Sequence, residues 1–311
     1  MKKLPTFLRQ GFTLIELLVA SAVFILFLAL LSGVINSVSN MSSQAAGRLD
    51  AVRQGREIFD LIQKDLAQAV PAIAARGTNS APQFWVNPPT ASLPDTYKNP
   101  TAVFWQSPIA RDRSAGNLAI VGYFVHRPSA NQSQLRRILI EPSDTANYKL
   151  YPTNSSTNAS GDWLSPAIAA QFVGTGNSTS STNADKGWVA SGVLGLWVRC
   201  LDANGHVITT NGADTAVGWA FDSRSGFRSG TGANATVRTG VNALPAFVDV
   251  GLVCVAAREA DRITSLHAIP AGSPATFDAD IAAYLANVQS ANPRLKTATS
   301  LTRRFRVAGG N

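Results

Sequence analysis

The sequence predicts an α+β protein. A long N-terminal helix, transmembrane in its first half and amphipathic in its second, packs on a C-terminal antiparallel β-sheet head with a late helix. Three observations predict it. First, an apolar run from Phe12 to about Ile35 holds enough helix to cross a bilayer core. Second, Leu49, Val52, Phe59, Ile62, Leu66 and Val70 recur at helical spacing until Pro71 interrupts them. Third, the remainder is a series of short β-branched and aromatic runs divided by Gly, Pro, Asn and Ser clusters. The predicted division is a basic stretch over 1–11, a helix over 12–70 with its transmembrane segment at about 12–35, and a β-rich globular head over 71–311.

The first eleven residues carry Lys2, Lys3 and Arg9 and end at Gly11. Basic residues beside an apolar helix hold that end in the cytoplasm, so the head lies on the other side of a single span. One acid, Glu16, interrupts the apolar run. An ionised carboxylate at that depth costs at least ~2.5 kcal/mol on insertion scales, so it needs a partner and a role. Ala20-Ser21-Ala22 has the small-x-small form of a secretory cleavage site. A cut there is argued against by Val23–Leu31, which continues the apolar run and would become a greasy new terminus.

Gly11-Phe12-Thr13-Leu14-Ile15-Glu16-Leu17-Leu18-Val19, behind a basic leader, resembles the N-terminus of type IV prepilins and pseudopilins. The resemblance implies that a prepilin peptidase cuts between Gly11 and Phe12 and methylates the new Phe12 amine. It also implies that this amine pairs with Glu16 of a neighbouring subunit, or with its own Glu16 before assembly. The implied location is the bacterial inner membrane, with the leader in the cytoplasm, and then a pilus or pseudopilus. The implied partners are prepilin peptidase, other pilin-like subunits and the assembly platform. Ser32-Gly33 lies where many pilins carry a helix-loosening proline.

Arg48, Arg53, Arg56, Lys64 and Asp65 are predicted to line the wet side of the second half of the helix. Ala72 to Pro100 reads as loop with a short strand at Phe84-Trp85-Val86. Strands are predicted at Thr101–Trp105, Leu118–His126 and Leu135–Glu141, the last two joined by a turn at Pro128–Asn131. Arg127, Arg136 and Arg137 read as a solvated strand edge. Two low-complexity stretches, about 153–162 and 174–187, lack the apolar surface that offsets ordering and are predicted to be mobile loops. Further strands follow at Trp188-Val189, Val193–Leu201, His206–Thr209, Trp219–Phe221 and Leu244–Val255. Phe277, Ile281, Leu285 and Val288 predict the late helix, with Asp278 as N-cap and Asn292-Pro293 as terminator. Leu301–Val307 closes the chain as a strand. This order is similar to that of larger minor pilins and pseudopilins of the J and W type, and to Verru/Chthon cassette protein C.

Cys200 and Cys254 lie on the apolar faces of two predicted strands. A cross-strand disulfide and two packed free thiols both fit, because sequence does not give the Cα separation. The formal net charge is +8, from scattered basic residues, which reads as solubility charge rather than a nucleic-acid surface. His126, His206 and His267 fall in no metal-ligand spacing. No nucleophile elbow, zinc-protease or phosphate-loop motif occurs. Asp202-Ala203-Asn204-Gly205 reads as a hairpin turn, since the closing acid of a calcium loop is missing. No cofactor and no enzymatic activity are expected. The expected function is that of a structural minor subunit of a type IV pilus or type II secretion-like pseudopilus. The alternative is a pilus-tip binding protein, an adhesin or a DNA-uptake receptor.

Overall fold

A computed structural model describes residues 13–70, 83–148, 163–173, 187–210, 219–223, 227–229, 236–238, 244–261, 263, 265–269, 272–292 and 295–307. The predicted loop at 153–162 lies outside the described residues, as does 174–187 apart from Gly187. The chain divides into two compact units between Ala46 and Gly47. The fold is α+β, with a long apolar N-terminal helix, antiparallel sheets and a late helix.

Helix α1 runs from Leu14 to Leu66. It stays helical through Ser32-Gly33, and a Cβ built on Gly33 meets no described residue within 4 Å. In the first unit the large apolar side chains of Leu14 to Ile35 are all exposed; even Leu31, the least so, shows 43% of its surface. From Gly47 onward α1 belongs to the second unit and buries Ala51, Gly55, Ile58, Phe59, Ile62 and Leu66. The i, i+4 spacing of Gly47, Ala51 and Gly55 lets the backbone approach closely. A Cβ on Gly55 would stand 2.5 Å from Cδ1 of Leu301.

Among the described residues the second unit holds three antiparallel sheets. The largest comprises β1 (Trp85–Val86), β2 (Ala102–Ser107), β3 (Ala119–Ser129), β4 (Gln132–Ile140), β5 (Trp188–Ser191) and β8 (Phe221–Asp222), in the order β5-β4-β3-β2-β1-β8. A second has β11 (Phe247–Cys254) between β6 (Val193–Leu201) and β12 (Thr299–Arg306). A small third sheet joins β7 (Ile208–Thr210), β9 (Phe227–Ser229) and β10 (Thr236–Arg238). Period-2 alternation sorts the side chains. Val103, Trp105, Val121 and Tyr123 meet Ile58, Phe59, Ile62 and Leu66 of α1, together with Val198, Val248, Val250 and Phe305 of the second sheet. The opposite face of the large sheet is covered by Trp163, Leu164 and helix α2 (Pro166–Ala170). The opposite face of the second sheet is covered by helix α4 (Phe277–Ala291) through Phe277, Ile281, Tyr284 and Val288. A short helix α3 (Ala257–Ala260) follows β11.

The C-terminal end of α1 departs most from expectation. The helix stops at Leu66, four residues before Val70, because its last turn is clamped to the sheet. Asp65, predicted to face water, is 3% exposed. Its carboxylate takes a two-pronged bond from Arg137, Nε to Oδ2 at 2.8 Å and Nη2 to Oδ1 at 3.0 Å. The Tyr123 hydroxyl donates to the same Oδ2 at 2.5 Å. The Asp65 carbonyl, one of the orphan acceptors of a helix end, receives Ser107 Oγ at 3.0 Å and Trp105 Nε1 at 3.3 Å. Val70 N then donates to Gln106 O, so the chain leaves the helix directly along β2.

Arg136 and Arg137 therefore do not mark a solvated edge. Strand β4 is interior, flanked by β3 and β5; Arg136 is 4% exposed and Arg137 is the counter-ion of Asp65. Arg127 donates to the Leu194 carbonyl at 2.9 Å and to the Tyr284 hydroxyl at 3.1 Å. The N-cap of α4 is Thr276, reached through a 3-10 turn at Pro274–Thr276, and Asp278 sits in the first helical turn instead. At that position it favours the helix dipole without capping it.

Candidate functional site

The N-terminal segment is the candidate site. Thr13 precedes the first helical residue and Glu16 is the third. Thr13 N donates to Glu16 Oε2 at 2.9 Å, Thr13 Oγ1 donates to the same oxygen at 2.9 Å, and Glu16 N donates back to Thr13 Oγ1 at 3.3 Å. This reciprocal pair is a capping box, which satisfies backbone donors that a helix start otherwise leaves open. Thr-x-x-Glu ahead of an apolar run is its sequence signature, so Thr13 was findable from spacing alone. Glu16 thus has a partner within its own chain, and Oε1 accepts no hydrogen bond from any described residue. Gly11 and Phe12, the predicted cleavage and methylation positions, lie outside the described residues.

By length and composition α1 is able to cross a membrane, and none of its apolar window near the N-terminus is buried among the described residues. Residues 7–32 match the family described as Prokaryotic N-terminal methylation motif. The match takes in Gly11, Phe12, Thr13 and Glu16 and stops short of Gly33. It supports a type IV pilin-like chain, processed at its N-terminus and anchored by a single membrane pass. No curated protein and no solved structure matches the chain.

The other predicted positions lie in the second unit. Cys200 and Cys254 are free and fully buried. Cys200 stands opposite Val248 and Cys254 opposite Val193, so residues 248 to 254 of β11 separate the two along the sheet. At ~3.3 Å per residue that offset is about 20 Å, far beyond the reach of a disulfide. The disulfide alternative is therefore corrected to two packed thiols. Burial pushes Cys254 up to about 12 and Cys200 well above the ordinary thiol range, so neither is a thiolate at neutral pH.

The turn at Asp202–Gly205 forms as predicted. Asp202 Oδ1 accepts from Asn204 N at 2.9 Å and His206 N at 2.8 Å, and Gly205 takes a φ of 82°. Its carboxylate is engaged by this turn and by Ser229. Among the described residues, no group of three or more His, Cys, Asp or Glu side chains could hold a metal ion.

His126 carries a pH-dependent consequence. Its ring packs on Tyr97 at 5.5 Å, and its Nδ1 is buried with no hydrogen-bond partner among the described residues. Burial, reinforced by the Arg136 charge, lowers its pKa from 6.5 to about 4. The unfolded chain therefore binds a proton between pH 6.5 and 4 that the folded chain does not. The associated stability is complete above pH 6.5 and is lost as the pH falls toward 4. Discounted for partial exposure, the loss is about 1–2 kcal/mol. Urea unfolding at pH 7 and pH 5 should show this drop in wild type, and His126→Phe should flatten it.

Proposed function

We propose that this chain is a minor structural subunit of a type IV pilus or of a type II secretion-like pseudopilus. It enters the inner membrane with its leader in the cytoplasm and its head on the far side. Prepilin peptidase cuts between Gly11 and Phe12 and methylates the Phe12 amine. The subunit then joins a filament through its apolar helix, with the Phe12 amine of one subunit meeting Glu16 of another. The observation that carries this reading is the methylation motif over 7–32 on a helix long and apolar enough to cross a membrane.

The geometry supports the role given to Glu16. Its Oε2 holds the capping box while Oε1 accepts no bond from a described residue, so one carboxylate can cap its own helix and still receive a cation. A buried pair of this kind binds strongly in the sense that removing either member strands the other. The size of the unit from Gly47 onward favours a minor position, since bulky heads would crowd a regular shaft. The test is the mature N-terminus of the chain taken from its own cell, which should be methylated Phe12.

A further inference from the structure

The second sheet has two edges, and they are treated differently. On the β6 edge, Thr101 N and Thr101 Oγ1 both donate to the Leu196 carbonyl, at 3.1 and 2.8 Å, and Leu196 N donates to Asn99 O at 2.8 Å. That edge is covered. The other edge is β12, all eight residues of which pair with β11 in one unbroken register, from Phe247 opposite Arg306 to Cys254 opposite Thr299.

The hydrogen-bond phase of β12 follows from its end. Val307 N donates to Ala246 O at 3.0 Å, which makes Phe247 and Arg306 a non-hydrogen-bonded pair. Phe305, Arg303 and Leu301 therefore bond to β11, and Ser300, Thr302, Arg304 and Arg306 aim their N–H and C=O groups away from it. None of these outward groups has a protein partner among the described residues. Thr302, Arg304 and Arg306 are exposed.

Open edges are normally blunted by shortness, a bulge or proline. The pairing of β12 has none of these: it is full length, in register and free of proline. Its one guard is charge of a single sign, Arg303, Arg304 and Arg306 with no acid between Thr299 and Arg306. Arg303 is held by Asp60 at 2.8 Å and Arg304 by Asp249 at 2.7 Å, whereas Arg306 has no charged partner among the described residues. A second copy pairing through its own β12 would set arginine against arginine, which opposes association. An acidic strand would instead gain both the backbone ladder and the charge pairing.

We propose that β12 is a docking edge for an extended acidic segment of another protein, added to the sheet as a strand beyond β12. The inference does not depend on filament assembly, because a peptide titration needs no filament. The probe is a labelled eight-residue peptide alternating valine and glutamate, titrated against the full chain in detergent micelles. Its lysine counterpart is the control. Saturable binding is expected for the glutamate peptide, about tenfold or more tighter than for the lysine peptide. The outward amides of Thr302, Arg304 and Arg306 should gain protection from hydrogen exchange. Thr302→Pro should abolish binding while leaving the thermal midpoint unchanged, since that N–H does not face β11. Arg306→Glu should weaken the glutamate peptide by about tenfold. Equal binding of the two peptides, unprotected outward amides at saturation, or binding indifferent to Thr302→Pro would overturn the proposal. So would single-stranded DNA that binds as well as the glutamate peptide and leaves those amides exchanging freely, since that identifies a polyanion patch.

Discussion

Glu16→Val is expected to leave the chain in the membrane and to remove it from the filaments proposed for it. Valine deletes the carboxylate whose burial costs at least ~2.5 kcal/mol, so insertion improves. It would also strand the cationic amine that the proposed mature subunit carries at Phe12. Breaking a buried charge pair costs ~3–5 kcal/mol, so incorporation should fall by about 100-fold or more, read as the chain's abundance in sheared filaments against membranes. The capping box supplies a second route to a phenotype, because valine also loses the bonds from Thr13 N and Thr13 Oγ1. Glu16→Gln separates the two. Glutamine is an accepted capping-box partner but carries no charge. If the charge pair governs assembly, glutamine should fail as valine does. Wild-type incorporation of Glu16→Gln would leave only the cap.

Asp65→Ala should strongly destabilise the second unit. It leaves Arg137 without its counter-ion at a side-chain exposure of 19%, and leaves the Tyr123 hydroxyl with no carboxylate to donate to. Burial, reinforced by Asp65 itself, pushes the Tyr123 phenol far above its ordinary range, so the hydroxyl stays protonated and remains a donor in need of an acceptor. Stranding a partly buried cation costs ~3–5 kcal/mol. Trp105 donates to the carbonyl of the same residue, so its fluorescence reports the transition directly in urea unfolding of the full chain in detergent. The double change Asp65→Leu with Arg137→Met should recover most of the loss, because an apolar replacement of a buried pair is often neutral or stabilising. A loss in Asp65→Ala below about 1 kcal/mol, the range of an exposed pair, would contradict the clamp.

The same residues show what the sequence alone makes legible. The long helix was legible because apolar content alone specifies Phe12–Ile35 and a 3.6-residue period specifies Leu49–Leu66. Strands β2, β3, β4, β6, β11 and β12 were legible because their β-branched and aromatic runs are bounded by turn residues. Thr13 was legible in principle from its spacing to Glu16. The clamp was not. Asp65 and Arg137 are separated by 72 positions, and a carboxylate between Lys64 and Leu66 looks like any solvated helix residue until the sheet is in place. The early end of α1 has the same origin. Val70 fits the helical period, but its amide is taken by the Gln106 carbonyl, a partner that exists only after β2 has formed. The cysteines were half legible: alternation predicted that both face the core, and register alone could say that they lie far apart.

The most direct test of the account is the intact mass and N-terminal sequence of the chain purified from the membranes of the cell that makes it. The expected result is a chain that begins at Phe12 and carries one methyl group on its α-amine. A chain that retains Met1 to Gly11, or one that begins at Val23, would contradict it.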